Sequence, residues 1–527
     1  MIAAFAMTIT FFAVLLGQLA LISGNKDYAA AAWRQCDYEV QVGDNRGNIY
    51  DCNLHKLTGT QEVYYVLASP GDARYHTLFS AVNDNSKAAL YQKAQEHQPF
   101  LISLQAQSIE AAEYLYAASK RYTDTMPACH LIGYLNGEGN GVSGVEAAFD
   151  NILANSGTTH TVRCATTAWG TFIDEYLPHL VYTQGSGEGV VLTIDSILQA
   201  ICEGAAAEMD SGSIVVMECA TGRIRACVSM PQFNPNDIAA SIEKKDTSLV
   251  NRTISQYNVG SVFKPLVAAS ALQNYYDKNA EYYCTGSIEV DGHVYSCAGK
   301  TGHGAVDMQT ALEKSCNCYF INLGLQLGGR AILDTAKAAG FGRSTLYAGQ
   351  LRTAAGNLPT VQQLQNSGQL ASISFGQGEL LATPLQIAAY MNIFANDGKY
   401  ISPTLVEGVL NENTMEIEKS LYTPMQRQVV SVYTAQTIRK MLVSTVENGI
   451  AKDAMPTLYG VGGKTGTAQT SRFNEAGEEE LDAWFAGFYP AENPQYTIAI
   501  LMDSGRKTSE DACVVFRHIA DALSFFQ

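Results

Sequence analysis

The chain has 527 residues, of which 47% are hydrophobic and 16% are charged, so it is long enough to bury a large core and to form two or more domains. Its 34 basic and 51 acidic residues give a formal net charge of −17, and no block of basic residues occurs along it. This balance argues against a nucleic-acid partner, because contacts to phosphates require clustered lysine and arginine.

The N-terminal segment predicts a transmembrane anchor over residues 1–24. Its first 22 residues contain no charged side chain, and about 20 apolar residues span a bilayer. A cleaved signal peptide is the alternative, with the alanines at 29–32 as its cleavage site, but its apolar region is typically only about 7–15 residues long. No Lys or Arg precedes the segment, so the positive-inside rule specifies its orientation poorly.

Residues 36–185 predict a mixed α+β domain next to the membrane. Short strand patterns alternate there with helical ones, such as that of residues 108–123. The stretch at 181–190 is Gly-rich and polar, which is typical of a domain junction. We therefore end this domain at residue 185 and begin the next at residue 187.

Residues 187–527 predict one α/β domain. Strand patterns lie near both of its ends, at 213–230 and 482–503, and helical patterns lie between them. An amphipathic helix pattern follows at 510–526. We expect one sheet that joins the first and last segments of this domain.

The twelve cysteines include no Cys-x-x-Cys pair, so a zinc ribbon or a redox motif is not indicated, and we expect no metal and no cofactor. Cys284 and Cys297 flank a strand–turn–strand pattern with Asp-Gly at its turn. A disulfide across this hairpin would be permitted if the domain is extracytoplasmic. The alternative for most of the twelve is a small buried thiol.

Three short motifs of serine acyl transfer occur in the chain, each more than once. The copies are Ser23/Lys26, Ser241/Lys244, Ser261/Lys264 and Ser504/Lys507 for Ser-x-x-Lys, Ser23/Asn25 and Ser315/Asn317 for Ser-x-Asn, and Lys300 and Lys464 for Gly-Lys-Thr-Gly. Neither Gly-Lys-Thr copy is a P-loop, because the required upstream glycine is replaced by Val294 or Leu458. Any single copy is expected by chance.

The surroundings distinguish the Ser-x-x-Lys copies. One lies at the membrane boundary, one in a charged segment, and one in a charged turn before the last helix pattern. Ser261 and Lys264, by contrast, precede an apolar helical pattern and would share a helix face. Pro265 is tolerated only near a helix start, where the dipole favours developing negative charge. Burial among the neighbouring apolar residues would lower the pKa of Lys264, so that it could accept the serine proton.

The other two motifs follow in order. Ser315-Cys316-Asn317 comes 54 residues after Ser261 and is predicted at a helix end. Lys464-Thr465-Gly466-Thr467 comes 149 residues after Ser315 and precedes an acidic stretch that predicts an exposed hairpin loop. On an edge strand, Gly466 would let a substrate backbone approach.

In this order the motifs resemble those of the penicillin-binding transpeptidases, in particular the monofunctional class B type. Similar segments cover most of the chain beyond the anchor: Arg46–Asp51, 130–153, 190–199, 215–236, 251–265, 303–320, 374–398 and 463–490. The resemblance implies a penicillin-binding transpeptidase or serine β-lactamase-like fold, with an antiparallel sheet flanked by helices.

The resemblance also implies an activity, a serine D,D-transpeptidase that cross-links peptidoglycan stem peptides ending in D-Ala-D-Ala and is acylated by β-lactams. It implies these roles: Ser261 as nucleophile, Lys264 as base, Ser315 and Asn317 as proton relay and peptide-positioning groups, Lys464, Thr465, Gly466 and Thr467 in substrate binding, and the backbone N–H groups of Ser261 and Thr467 as the oxyanion hole. It gives Lys300 no role, and we expect this side chain to be exposed.

The implied location is the bacterial cell membrane, crossed once, with the catalytic domain outside the cytoplasm. The implied partner is a polytopic glycan polymerase, in division, elongation or sporulation. The chain departs from the family pattern at Val259, where proline is usual, and at Cys52 and Leu54, where arginine and glycine are usual. We expect these last two departures to change how the two domains are held together.

Two other classes of protein share parts of this pattern. A β-lactamase or a β-lactam sensor carries the same three motifs, but a sensor usually adds a metalloprotease with His-Glu-x-x-His, which this chain does not contain. A β-lactamase rarely needs a domain of this size before its catalytic one. An assembly protein with a dispensable active site is disfavoured because every motif residue is intact.

Overall fold

A computed structural model describes all residues except 44, 72–83, 97, 105–114, 124, 155, 245, 474–476, 506, 507 and 527. The chain forms two compact units that interleave along the sequence. Unit 1 comprises Met1–Gly47, Thr58–Thr123 and Ala154–Gly187, and unit 2 comprises Asn48–Leu57, Asp124–Leu153 and Glu188–Gln527.

The α-helices are α1 (Ile2–Ser23), α2 (Lys26–Cys36), α3 (Asp84–Ala94), α4 (Cys129–Ile132), α5 (Gly144–Ala148), α6 (Asp150–Leu153), α7 (Ser196–Ala206), α8 (Ile238–Lys244), α9 (Lys264–Gln273), α10 (Met308–Glu313), α11 (Asn317–Leu327), α12 (Gly329–Ala338), α13 (Ser367–Ser374), α14 (Pro384–Ala395), α15 (Val432–Glu447) and α16 (Ser509–Leu523).

The strands are β1 (Asp37–Val42), β2 (Ile49–Tyr50), β3 (Gln61–Ala68), β4 (Phe100–Leu104), β5 (Leu115–Lys120), β6 (Thr159–Ala165), β7 (His179–Thr183), β8 (Glu188–Leu192), β9 (Gly212–Glu218), β10 (Ile224–Met230), β11 (Tyr257–Asn258), β12 (Tyr282–Cys284), β13 (Ser287–Val290), β14 (His293–Ser296), β15 (Gly304–Val306), β16 (Leu346–Ala348), β17 (Leu351–Arg352), β18 (Leu381–Ala382), β19 (Lys399–Ile401), β20 (Val406–Asn411), β21 (Glu416–Ser420), β22 (Gln426–Gln428), β23 (Gly462–Phe473), β24 (Glu479–Tyr489) and β25 (Tyr496–Gly505).

The predicted N-terminal helix is present as α1, which is long and apolar enough to cross a membrane. None of its side chains is buried against the rest of the chain. The helix ends at Ser23, and a second helix begins at Lys26, where Asn25 Oδ1 accepts a hydrogen bond from the Asp27 backbone N–H at 2.9 Å. This cap satisfies a donor that the start of α2 would otherwise leave unpaired.

Unit 1 contains two three-stranded sheets, in the orders β1-β6-β7 and β4-β3-β5. The helix predicted at 108–123 is wrong over Leu115–Lys120, which forms β5 and pairs with β3; residues 105–114 lie outside the described part of the chain. The alanine-rich segment favours a helix locally, but Ala118 packs in an apolar cluster with Leu67 and Val162. Tertiary packing therefore overrides the local preference.

A five-stranded antiparallel sheet forms the centre of unit 2, in the order β10-β9-β25-β24-β23. β25 lies between β9 and β24, so the sheet joins the first and last segments of the predicted domain, and that prediction is confirmed. β23 and β10 are its two edge strands.

Successive residues of each strand point to opposite faces of this sheet. Helices cover both faces and pack on these side chains. On one face, residues such as Ile214 and Phe485 pack with α7 and α16 in one apolar cluster. Phe516 of α16 meets the Phe485 ring edge-on, with 4.7 Å between the ring centroids. On the other face lies α14, all of whose residues are buried and which contacts β9, β24 and β25.

A second sheet of unit 2 has the order β2-β8-β20-β21, and the segment that departs from the family pattern, at Cys52 and Leu54, follows β2. Asp51 is fully buried, and its carboxylate accepts hydrogen bonds from Ser196 Oγ at 2.6 Å and from the backbone N–H of His55 at 2.8 Å. Leu54 has a φ of +63°, the region that favours glycine. Its side chain packs against the cluster of Tyr50, Val191 and Leu410, so apolar contact offsets backbone strain of about 1–2 kcal/mol.

Replacing Phe516 with alanine should destabilise unit 2 by about 3–5 kcal/mol, because it removes a fully buried ring from the core between α16 and the sheet. The measurement is urea unfolding of the full-length chain in detergent, followed by the fluorescence of Trp484 in a Trp33→Phe, Trp169→Phe background. Trp484 belongs to unit 2, whereas the other two tryptophans belong to unit 1.

Phe525→Ala is the matched control, because this phenylalanine is 88% exposed. Its unfolding midpoint should stay near that of the parent chain. Equal midpoint shifts for the two variants would contradict the packing described here.

Candidate active site

Ser261 lies in a short 3-10 turn, Gly260–Phe263, which runs directly into α9. Pro265 occupies the first turn of α9, as the sequence predicted, and Ser261 is half-buried. Gly260 has a φ of +64°, so a glycine before the serine suits this turn. The structure therefore places the predicted nucleophile at a helix start.

Lys264 is fully buried and points at the Ser-x-Asn motif. Its Nζ donates hydrogen bonds to Ser315 O at 2.7 Å, to Ser315 Oγ at 3.0 Å and to Asn317 Oδ1 at 2.7 Å. Burial lowers the pKa of Lys264 to about 7, because desolvation disfavours the ammonium form. A lysine with this pKa is partly neutral near pH 7 and can take up a proton.

Ser315 lies in the turn between α10 and α11, and Asn317 is the first residue of α11, so the motif lies at a helix end as predicted. Ser315 has a φ of +50°, an uncommon conformation for a residue with a side chain. Asn317 is held from two sides, since its Oδ1 accepts from Lys264 and its Nδ2 donates to Ser296 O at 2.9 Å. Both side chains are therefore fixed by contacts with other elements.

Lys464, Thr465, Gly466 and Thr467 lie on the edge strand β23. Lys464 is fully buried, and its Nζ donates to Thr465 O at 3.2 Å and to Thr465 Oγ1 at 3.3 Å. Burial, followed by the charge of Lys264, holds the pKa of Lys464 well below its usual range. Thr467 is exposed at the outer side of the strand.

Glycines allow the serine turn and the edge strand to touch. A Cβ atom on Gly260 would lie 2.9 Å from Thr467 O, and one on Gly466 would lie 3.2 Å from the backbone N of Val262. The sequence assigned Gly466 to the approach of a substrate backbone, whereas here it admits the backbone of the serine turn. The three motifs are thus brought to one place by contacts between their own elements.

Sequence reasoning gave no role to several residues that hold this arrangement. The backbone N–H of Gly260 donates to Gly376 O at 2.8 Å, and Gln377 Nε2 donates to Thr467 O at 3.4 Å. Gly376 and Gln377 belong to the segment 374–398, which resembles the family but for which the sequence predicted no function. The Gly-rich run around Gly376 was the available signal.

A buried carboxylate positions the chain just before the serine. Asp482 on β24 accepts a hydrogen bond from the Asn258 backbone N–H at 3.3 Å, and Trp484 Nε1 donates to Asn258 O at 2.8 Å. Arg472 bridges Asp482 at 3.3 Å and Asp503 at 3.0 Å. These contacts are formed by residues far apart in sequence, so the motifs carried no signal for them.

The other motif copies lie elsewhere. Lys300 is exposed in the turn Ala298–Lys300, as predicted, and Ser241 lies in the short helix α8. Ser504 was predicted in a turn but belongs to β25, which continues to Gly505, while Lys507 lies outside the described residues. Ser23 is exposed at the end of α1.

The hairpin β13–β14 forms as predicted, with its turn at Asp291 and Gly292, but no disulfide closes it. Cys284 Sγ and Cys297 Sγ are 3.8 Å apart, against about 2.05 Å in a disulfide. All twelve cysteines are free thiols, and ten of them are buried. Cys284 and Cys297 join His303 and Cys316 in one cluster whose donor atoms could hold a metal ion.

Comparison with known proteins identifies the family of the chain. Residues 212–521 match the family model for the penicillin-binding protein transpeptidase domain. The chain is 31% identical over 397 residues to stage V sporulation protein D of Bacillus subtilis, which covers 72% of this chain and 59% of that protein. It is 28% identical over 494 residues to the probable peptidoglycan D,D-transpeptidase PbpC of Pseudomonas aeruginosa, covering 88% of this chain and 83% of that one.

A solved structure shows the same fold. The D,D-transpeptidase domain of a peptidoglycan glycosyltransferase from Eggerthella lenta superposes with a TM-score of 0.68 at 24% identity, over 92% of this chain and 99% of that one. The family match spans more than half of the chain and contains the central sheet, the Ser261 turn and the edge strand. The chain therefore belongs to the penicillin-binding protein transpeptidase family, in its class B branch.

Proposed function

We propose that this protein is a serine D,D-transpeptidase that cross-links peptidoglycan stem peptides. The observation that carries the proposal is the buried Lys264, which lies three residues after Ser261. Its Nζ donates hydrogen bonds to Ser315 and Asn317. A buried lysine with a pKa of about 7 is an unusual feature for a structural residue, because burial of an amine costs free energy. It is the property that a general base for a serine hydroxyl requires.

In the acylation step, Ser261 Oγ attacks the carbonyl of the penultimate D-alanine while neutral Lys264 takes the hydroxyl proton. The oxyanion forms against the backbone N–H groups of Ser261 and Thr467, which lie on touching segments. Collapse of the tetrahedral intermediate breaks the peptide bond. The terminal D-alanine leaves with the proton, relayed from Lys264 through Ser315 Oγ.

In the transfer step, the amine of a neighbouring stem peptide attacks the ester carbonyl on Ser261. Lys264 accepts the proton that the amine loses, and the Ser261 oxygen recovers one as the new peptide bond forms. Asn317, held by Lys264 and Ser296, would orient the donor peptide. Lys464, Thr465, Gly466 and Thr467 would bind the donor along the edge strand.

Lys464 suits recognition of the donor's terminal carboxylate. Burial and the charge of Lys264 lower its pKa, so the charged form is disfavoured before a donor binds. A carboxylate within about 4–6 Å favours the ammonium form. Binding of the donor would therefore create the charge pair that holds it, and a β-lactam carboxylate would do the same.

The helix α1 would cross the bacterial cell membrane once and hold unit 2 on the extracytoplasmic side, where stem peptides are found. A polytopic glycan polymerase is the partner that we propose for this membrane segment. A β-lactamase is the alternative function, and it differs in one step, because water rather than an amine would then release the acyl group.

Ser261→Ala should abolish covalent labelling of the full-length chain by fluorescent penicillin, because no ester can form. Ser241→Ala, in another Ser-x-x-Lys copy, is the matched control and should label like the parent chain. The measurement is in-gel fluorescence over time. Labelling of Ser261→Ala at the parental level would overturn the assignment, and rapid loss of label from the parent would favour the β-lactamase.

Lys464→Ala should lower the acylation rate by at least about a hundredfold, comparable to the loss of one transition-state contact. Lys300→Ala should leave the rate near normal, because Lys300 is exposed in a turn. Both rates are measured with fluorescent penicillin on variants whose thermal unfolding has been checked. A lower acylation rate for Lys300→Ala than for Lys464→Ala would show that Lys300, and not Lys464, belongs to the substrate-binding motif.

The acylation rate should rise with pH below about 7 and level off above it. Lys264 must be neutral to accept the proton, and its pKa of about 7 sets the midpoint of this rise. The measurement is rapid-quench labelling with penicillin across the pH range, with Lys300→Ala as a control of unchanged profile. A rate that does not change with pH through neutrality would exclude Lys264 as the titrating base.

A further inference from the structure

A cluster of sulfur atoms lies directly beneath the Ser-x-Asn turn. Cys297 Sγ is 3.8 Å from Cys284 Sγ and 3.8 Å from Cys316 Sγ, and Cys284 Sγ is 3.5 Å from His303 Nδ1. The donor atoms of these four residues all lie within 4.8 Å of one another. The three cysteines are almost completely buried, and His303 is half-buried.

We propose that Cys284, Cys297, His303 and Cys316 bind one zinc ion. Zinc in structural sites is tetrahedral, with bonds of about 2.3 Å to sulfur and about 2.0–2.1 Å to nitrogen. The edges of such a tetrahedron are about 3.8 Å between two sulfurs and about 3.6 Å between sulfur and nitrogen. Three separations in the cluster match these edges: Cys297 Sγ to Cys284 Sγ, Cys297 Sγ to Cys316 Sγ, and Cys284 Sγ to His303 Nδ1. All donor pairs lie within 4.8 Å, so small shifts of the side chains suffice to bind zinc.

The backbone assembles these ligands from separate elements. β12 pairs with β15, which sets Cys284 opposite Gly304 and brings His303 beside it. The hairpin β13–β14 returns the chain so that the backbone N–H of Cys297 donates to Gly286 O at 2.9 Å. Cys316 is the N-cap of α11. Successive ligands are 13, 6 and 13 residues apart in the sequence, so the site contains no Cys-x-x-Cys pattern that would have predicted it.

The donor set selects the class of metal. Thiolates with an imidazole are ligands for zinc, whereas magnesium and calcium take oxygen ligands. Four protein donors close the coordination sphere, which is typical of a structural rather than a catalytic zinc. Cys318 Sγ lies 3.5 Å from Cys297 Sγ and is the competing fourth ligand.

The site is joined to the catalytic motif through Cys316, which lies between Ser315 and Asn317. A metal bound to Cys316 would hold the turn whose two outer residues accept the hydrogen bonds of Lys264. Cys316 is thus a positioning residue. Cys284 at the end of β12, Cys297 after β14 and His303 before β15 would in this way support the Ser-x-Asn turn through bonds to the metal.

The test uses the full-length chain in detergent, stripped of metal and kept reduced. Titration with Zn²⁺ against a chromogenic chelator should give one tightly bound equivalent per chain. Substitution with Co²⁺ should give thiolate-to-metal charge-transfer bands and the intense visible bands of a tetrahedral site. Cys297→Ser should lose tight binding, whereas Cys202→Ser, at a buried cysteine of the α7 core, should keep it.

Two variants identify the fourth ligand. His303→Ala should weaken zinc binding roughly tenfold or more, and Cys318→Ser should leave it unchanged. The reverse result would overturn the assignment of His303. Absence of stoichiometric zinc in the parent chain, an octahedral cobalt spectrum, or a Cys284–Cys297 disulfide found by peptide mapping would overturn the site itself.

These outcomes do not depend on correct folding of the Cys297→Ser variant, because the cobalt spectrum and the peptide map are obtained on the parent chain. They are also independent of the proposed transpeptidase activity, since metal binding is measured directly. Protection of the three cysteines from alkylation by added zinc is the corresponding positive result in the parent chain.

Discussion

The burial of the Lys264 amine is the constraint on which the rest of the site depends. A charged ammonium is unfavourable in a low-dielectric interior, so Lys264 has a lowered pKa, and its Nζ donates its hydrogen bonds to neutral oxygens. Ser315 and Asn317 supply those oxygens. The Ser-x-Asn motif therefore has two tasks: it accepts the hydrogen bonds of the buried lysine, and it is positioned to bind a substrate.

The same constraint explains how the surrounding elements are arranged. Lys264 begins a helix whose first eight residues are buried, and the fully buried α14 fixes the serine turn through Tyr390 Oη, which donates to Val262 O at 3.1 Å. The edge strand can then approach the serine only because Gly260 and Gly466 lack side chains. An edge strand also leaves one side of its backbone open to an extended peptide.

Much of the fold and of the active site was predictable from local sequence patterns. The helix start at Ser261 followed from Pro265, the hairpin β13–β14 from its Asp-Gly turn, and the central sheet from strand patterns at both ends of the domain. The failures were places where distant contacts outweigh local preference. β5 replaces a predicted helix because Ala118 packs in an apolar cluster between strands. Ser504 lies in a strand rather than a turn, because the pairing of β25 with β24 continues to Gly505.

The sequence by itself determined the three motifs, their order and the family that they resemble, because these are properties of residue type and spacing. The apolar residues around Ser261 also indicated that burial would lower the pKa of Lys264, as it does. Only the tertiary structure decided which distant groups meet: Lys264 with Ser315 and Asn317, Gly260 with Thr467, and Cys284 with Cys297, His303 and Cys316. These contacts join residues far apart in the chain, so no local pattern encodes them.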